Sequence, residues 1–496
     1  MIGIAALLLI GAIVAGRRHL WIGPAGPLAV LCVLLTRLWG IPALERHQYD
    51  GHEADHLSYF LGLATPGAVD TLRYPLMQWW WWLWGLLLPA DPQLPVVISA
   101  LFASLGVAAL AGGIGLLAGR RAGWMALLVL ALHPTHAAWS SSAYNVSLPG
   151  ALAGLAVLGV ASAQRRPMDR WPLVLTAAAL ALASNGRLEL AVVALPCGLL
   201  ALGGEQSIGG ALKRWLPVLI GGGLLAAPGL LAVLAAGPLP GAEERAQSFA
   251  INVGLLDFHA PYHRPLGLAL LAMGLLAAGR RWPWATFALS SVIIVNHLLV
   301  ASFNDYGARH TLPALVGISW LIGAGAAAVS RLGAAGMVLS VLWLSLPALA
   351  ELRTRYYADE EDFVVLLSAS PYDELPRWDA PPGDDCGWIA EDPRVAMDPP
   401  RSHFNLLDPQ EAATLRGEDG CLRWCLDIQD WRWSSRGVRD RGIRLRYLYA
   451  LQPEAVVLER SSGYACLVMR VGERSTGAPP FTEWHGRGHP ADTRLP

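Results

Sequence analysis

The sequence predicts an α-helical polytopic membrane protein of about twelve transmembrane helices, followed by a soluble α/β domain on the extracytoplasmic side. Three observations carry this: bulk apolarity, the recurrence of bilayer-length apolar runs, and the alternation of basic and acidic loops between them. Of 496 residues 54% are hydrophobic and only 15% charged, with a mean hydropathy of +0.41. That is too apolar for a water-soluble domain of this length.

Apolar runs approach the roughly 20 residues that cross a bilayer at 24–43, 94–117, 143–163, 215–236, 285–302, 310–329 and 333–350, with shorter ones at 2–15, 123–139, 171–184, 188–203 and 265–279. The first run has no basic residue before it and is followed by Arg17 and Arg18, the reverse of a secretory signal, so it reads as a retained helix. With twelve spans, the basic loops holding Arg17-Arg18, Arg120-Arg121, Arg165-Arg166, Lys213-Arg214, Arg280-Arg281 and Arg331 all fall on one side. The positive-inside rule makes that side cytoplasmic. The acidic loops with Asp50, Glu53, Asp55, Asp70, Glu243, Glu244, Asp257 and Asp305 then face outward.

The same parity places residues 351–496 outside the cytoplasm, as a domain separate from the membrane region 1–350. Strand-like runs at 363–367, 454–458 and 464–471, among prolines and charges, give it an α/β or mixed character. Four of the six cysteines (Cys386, Cys421, Cys425, Cys466) lie there, where an oxidising compartment lets them pair in any of three connectivities. Zinc at Cys421 and Cys425 is the rival reading, weakened by the lack of a second close pair. Cys32 and Cys197 fall in membrane helices and read as packing residues.

A net charge of -1 and scattered arginines leave no nucleic-acid footprint. Lys213 is the only lysine among 37 basic residues, so phosphate contacts fall to Arg, His or backbone. No Walker or Rossmann fingerprint follows a strand. The run Trp79-Trp80-Trp81-Trp82-Leu83-Trp84 reads as a helix at the outer interface, where indole buries its ring and keeps its N–H wet. It serves either as an anchor or as a lid beside a lipid entrance.

The richest polar cluster, Tyr49-Asp50-Gly51-His52-Glu53-Ala54-Asp55-His56, lies in the first outer loop, about 44–93. A carboxylate there, facing a partly dry cavity, has its pKa raised toward that of a general base. His52 and His56, four apart, with a carboxylate leave a divalent metal open as an alternative, though no further ligand is identifiable.

These residues resemble the GT-C superfamily, in particular bacterial enzymes similar to protein mannosyltransferases and aminoarabinose transferases. Glu53-Ala54 matches the second half of that family's acidic motif, and Arg73-Tyr74-Pro75-Leu76 its basic-proline step. His52 and Tyr74 depart from it, standing where the family has an acid and a proline. Ser184-Asn185-Gly186-Arg187-Leu188-Glu189 is similar to its short basic segment. Tyr306-Gly307-Ala308-Arg309-His310-Thr311-Leu312-Pro313-Ala314-Leu315 resembles the stretch that opens a late helix.

The resemblance implies a glycosyltransferase of a bacterial inner membrane. Its donor is a polyprenyl-phosphate sugar and its acceptor a lipid, glycan or protein at the outer face, with inversion and no required cofactor. By that resemblance Glu53, then Asp55, then Asp50 is the base, and Arg73, Arg187 and Arg309 hold the donor phosphate, since Arg keeps its charge and offers forked donors. Two other readings stand beside it: a transporter or flippase of lipid-linked sugars, and a non-catalytic assembly protein. Against transport, the apolar runs are nearly free of charge at their centres, and polar residues gather at their ends.

Overall fold

The computed structural model of the chain describes residues 1–20, 23–39, 59–62, 65–66, 75–91, 94–140, 147–204, 207–235, 262, 264–301, 308–354, 386–390, 420–425, 451, 453–461 and 464–471. Its helices are α1 (Ile2–Leu20), α2 (Pro27–Trp39), α3 (Pro75–Leu87), α4 (Leu94–Ala118), α5 (Arg120–Leu132), α6 (Pro134–Ser140) and α7 (Ser147–Arg165). They continue with α8 (Trp171–Gly186), α9 (Ala194–Gly203), α10 (Ile208–Ala235), α11 (Pro265–Arg281), α12 (Pro283–Ala301), α13 (Leu315–Ala328) and α14 (Arg331–Thr354). Short 3-10 segments cover Gly23–Ala25, Leu188–Val193 and Ala308–Ala314.

Five of the helices α2, α3, α6, α11 and α12 start on proline, whose fixed φ suits the first helical position and whose missing N–H costs nothing there. Among the described residues, five segments are long and apolar enough to cross a bilayer: Ile2–His19, Leu94–Ala118, Ser147–Arg165, Thr311–Ala328 and Arg331–Leu349. Shorter apolar helices accompany them.

Each apolar run read from the sequence overlaps one of these helices, with two revisions. The run 123–139 is not one helix: His133, ahead of Pro134, adopts φ -69 and ψ 118, so α5 stops at Leu132 and α6 starts afresh. The proline ring disfavours helical backbone in the residue before it. The run 188–203 opens as a 3-10 segment before becoming α9.

Burial divides the helices into an inner and an outer set. In α4, α7 and α13 most residues are buried, whereas α1 and α14 present long apolar faces outward, with Leu7 71% and Trp343 77% exposed. Such faces suit a lipid surround. Small residues bring the inner helices together. A Cβ on Gly106 of α4 would lie 2.6 Å from Ala151 Cα of α7, and one on Gly154 would overlap the Gly106 carbonyl oxygen. Between α4 and α5 a single residue, Gly119 at φ 97, makes the turn, a backbone state that glycine adopts without strain.

The Trp-rich helix α3 is more firmly packed than an anchor lying on the interface. Leu76, Met77, Gln78 and Trp81 are buried, Trp81 stands edge-on to Phe60, and Trp80 edge-on to Phe102 of α4. Trp79, on the opposite face, is half exposed. Cys197 is buried as expected, but Cys32 is exposed on the outward face of α2, because α2 buries only one side.

Beyond residue 385 the described strands are β1 (Gly387–Ala390), β2 (Cys421–Cys425), β3 (Pro453–Ser461) and β4 (Tyr464–Val471). They form one sheet in the order β1-β2-β4-β3, with β1 parallel to β2 and the other pairs antiparallel. The runs 454–458 and 464–471 thus lie on β3 and β4, while 363–367 lies outside the described residues. The parallel register sets Gly387 beside Leu422, so Cys386 and Cys421 enter their strands side by side and form a disulfide across 35 residues of sequence. Cys421 in this bond is no zinc ligand. Register also sets Cys425 opposite Cys466.

Candidate active site

Arginines cluster at both ends of the bundle. At one end Arg165 Nε donates to the Leu116 carbonyl at 2.9 Å, Arg166 to His19 Nδ1 at 2.9 Å and Arg214 to the Ala163 carbonyl at 3.0 Å. This end gathers the basic loops of α1, α4, α7 and α10.

At the other end lies a second set. Arg37, in the last turn of α2 and only 2% exposed, donates to the Ala131 and Leu130 carbonyls at 2.7 and 2.8 Å and to His136 Nδ1 at 3.0 Å. It thereby satisfies carbonyls at the end of α5 that have no partner within the helix. His133 is buried and stacks on Tyr262 with ring centroids 5.5 Å apart, and the Tyr262 hydroxyl lies 3.3 Å from Ser345 Oγ.

Because guanidinium has no acceptor, Arg37 must be the donor to His136 Nδ1. A neutral His136 therefore carries its proton on Nε2. Burial first, then the Arg37 charge and then His133 hold its pKa well below the usual 6.5, so the ring is neutral at neutral pH and offers one N–H donor. His136 sits on α6, the short helix that follows the break at His133.

A cavity of about 60 Å³ opens beside this network. His136 and Ser140 of α6, Ser147 of α7 and Arg187 supply its polar wall, and Gly106, Gly150 and Gly154 let the backbones of α4 and α7 form another part. Arg187 caps the end of α8: its N–H donates to the Ala183 carbonyl at 2.7 Å, and its side chain is 3% exposed. Next to it, Asn185 donates to the Ala181 and Leu225 carbonyls and ties α8 to α10. Leu312, Pro313, Leu315 and Val316 close the remaining side.

Two stretches singled out in the sequence therefore meet at this cavity, the one around Arg187 and the one running through Leu312-Pro313 into α13. A third lies close by. A Cβ on Gly186 would come within 3.3 Å of Leu76 Cδ2 and 2.6 Å of Pro149 Cγ, so the start of α3 packs against the end of α8. Arg309 lies in the 3-10 segment Ala308–Ala314, but its side chain lies outside the described residues, as do Arg73, Asp50, Glu53 and Asp55.

Among the described residues no three His, Cys, Asp or Glu side chains come together as a metal site. His52 and His56, which carry the metal alternative, lie outside those residues.

Sequence reasoning passed over Arg37, His133 and His136. Arg37 is the one arginine within an apolar run, the usual mark of a functional or structural ionisable group in a membrane helix. His133 and His136 were hidden inside a run read as one continuous helix.

No family model matches the chain, and no curated protein does. Solved structures do. One is the crystal structure of ArnT from Cupriavidus metallidurans bound to undecaprenyl phosphate, with a TM-score of 0.53 and 12% identity over 91% of this chain and 99% of that one. Another is the same protein in its apo state, at TM-score 0.50 and 12% identity, covering 91% of this chain and 98% of that one. The likeness is one of fold, and the chain is built on an ArnT-like helical arrangement that agrees with the GT-C resemblance of its motifs.

Proposed function

We propose that the chain is a membrane glycosyltransferase that moves a sugar from a polyprenyl-phosphate donor to an acceptor lipid, glycan or protein, working at the bundle end that holds Arg187 and His136. The observation that carries this reading is their cavity: an almost fully buried arginine and a neutral imidazole donor share one polar wall in an ArnT-like fold. A solved neighbour with that fold holds undecaprenyl phosphate.

In this reading the donor's lipid tail lies in the membrane and its phosphate meets Arg187 and the His136 Nε2–H, with Arg73 and Arg309 from the neighbouring motifs as further cations. Buried charge-assisted hydrogen bonds of this kind stabilise the negative charge that grows on the departing phosphate. The acceptor hydroxyl loses its proton to Glu53, Asp55 or Asp50, in that order of preference. Its oxygen bonds to the anomeric carbon as the carbon–phosphate oxygen bond breaks, which inverts the centre and releases polyprenyl phosphate. No step needs a redox partner, and a divalent metal at His52 and His56 stays an open addition.

By the positive-inside argument the basic end faces the cytoplasm, so the site and residues 351–496 face outward from a bacterial inner membrane.

The test is turnover of a panel of labelled polyprenyl-phosphate sugars by purified protein, comparing wild type with Arg187→Gln, Glu53→Gln and Asp55→Asn. Loss of one such donor costs about a hundredfold or more in turnover, and Arg187→Gln is expected to show it. A wild type that neither transfers nor hydrolyses any donor overturns the enzyme reading and favours a lipid-linked-sugar flippase. Full activity in both carboxylate variants overturns the base assignment alone.

A further inference from the structure

A second cavity, of about 370 Å³, lies at the opposite, basic end of the bundle and plays no part in the chemistry above. Its polar lining comes from three helices: His19 at the end of α1, Arg120 at the start of α5, and Arg165 and Arg166 at the end of α7. Gly112 and Gly115 of α4 and Gly23 at the chain turn leave the space between them open. Among the described residues the acid nearest this cluster is Asp169, 3.8 Å from Arg166, and it does not line the cavity. Among the described residues Arg120 makes no ion pair or hydrogen bond, and Arg165 uses its Nε on the Leu116 carbonyl. Three arginines thus border one hollow, with a single acid beside it among the described residues.

We propose that this cavity binds the phosphate head group of an anionic membrane lipid. Basic pockets between membrane helices at the cytoplasmic side have the charge and shape for such head groups. The neighbouring surface fits the rest of the lipid. α1, whose last turn borders the cavity, exposes Leu7, Leu8, Ile10 and Val14 along its length, an apolar track for acyl chains. A free phosphate would use the same arginines but gain nothing from that track.

Native mass spectrometry of the full chain tests this, with phosphatidylglycerol, phosphatidylcholine or inorganic phosphate added to the detergent-purified protein. The expected result is one phosphatidylglycerol retained under activation that strips phosphatidylcholine. Each lining arginine replaced, in Arg120→Gln and in Arg120→Gln/Arg165→Gln, should lower its retention about fivefold, since one arginine near an anionic head group is worth about 1 kcal/mol. Arg120→Gln breaks no bond among the described residues, so its loss of lipid is not a folding defect. Arg331→Gln, at the same end but outside the cavity, should change nothing.

Equal retention of the two lipids, or an equal loss in Arg331→Gln, overturns the proposal, the latter by showing diffuse surface charge. Displacement of phosphatidylglycerol by millimolar inorganic phosphate overturns the lipid assignment and leaves a soluble phosphate compound as the ligand of the same arginines.

Discussion

Replacing Arg37 with methionine removes three hydrogen bonds at once, to the Leu130 and Ala131 carbonyls and to His136 Nδ1, while keeping most of the side-chain volume. Hydrogen bonds between membrane helices are worth about 0.6–1.7 kcal/mol each, so the expected cost is about 2–5 kcal/mol. The upper part of that range applies if water cannot reach the orphaned carbonyls at the end of α5, since a buried unsatisfied acceptor costs its full desolvation. Arg37→Lys should recover only part, because an ammonium cannot span two carbonyls and an imidazole as a planar fork does. The assay is reversible denaturant unfolding in mild detergent, run as a double-mutant cycle with His136→Asn. A coupling of about 0.6–1.7 kcal/mol should isolate the Arg37–His136 contact. A stable Arg37→Met protein, within about 0.5 kcal/mol of wild type, would refute the view that this arginine holds α2 to the α5–α6 junction.

Three further outcomes follow from His136, from the α4–α7 contact and from the sheet register. The pKa of His136 is lowered in the folded chain, so the unfolded chain binds the extra proton: no penalty is felt above about pH 6.5, and stability then falls by up to about 1.4 kcal/mol per pH unit as the pH drops toward the folded value. Stability profiles of wild type and His136→Asn should diverge only on the acidic side, and parallel profiles would contradict the buried neutral ring. Gly154→Val places side-chain atoms against the Gly106 backbone, so it should cost about 1–3 kcal/mol from overpacking and narrow the cavity, raising the KM for donor more than Gly150→Ala does, where the space is open. Peptide mapping without reduction should recover a Cys386–Cys421 link and, from the strand register, a Cys425–Cys466 link. Loss of the first by Cys386→Ser should destabilise the sheet by about 2–4 kcal/mol, and a Cys421–Cys425 link would refute the register.

Much of the bundle was legible because lipid imposes a simple rule on sequence: a helix that crosses it must be long, apolar and closed in its own hydrogen bonds. The windows, the proline starts and the gathering of the paired basic loops at one end all follow from local composition. The stretches around Arg187 and Pro313 stood out by another route, their resemblance to GT-C motifs. Reading them as one site was beyond composition, because 125 positions of chain separate Arg187 from Leu312, and only the packing of α4 against α7 leaves a cavity that both can line.

His136 marks the boundary most sharply. The sequence alone determined that an imidazole stands two residues after Pro134, and that α5 had reason to stop before it. That it is neutral, with its proton on Nε2, was decided by Arg37, 99 residues earlier. Charge, burial and tautomer belong to groups brought close in space, and proximity across a chain is a property of the fold.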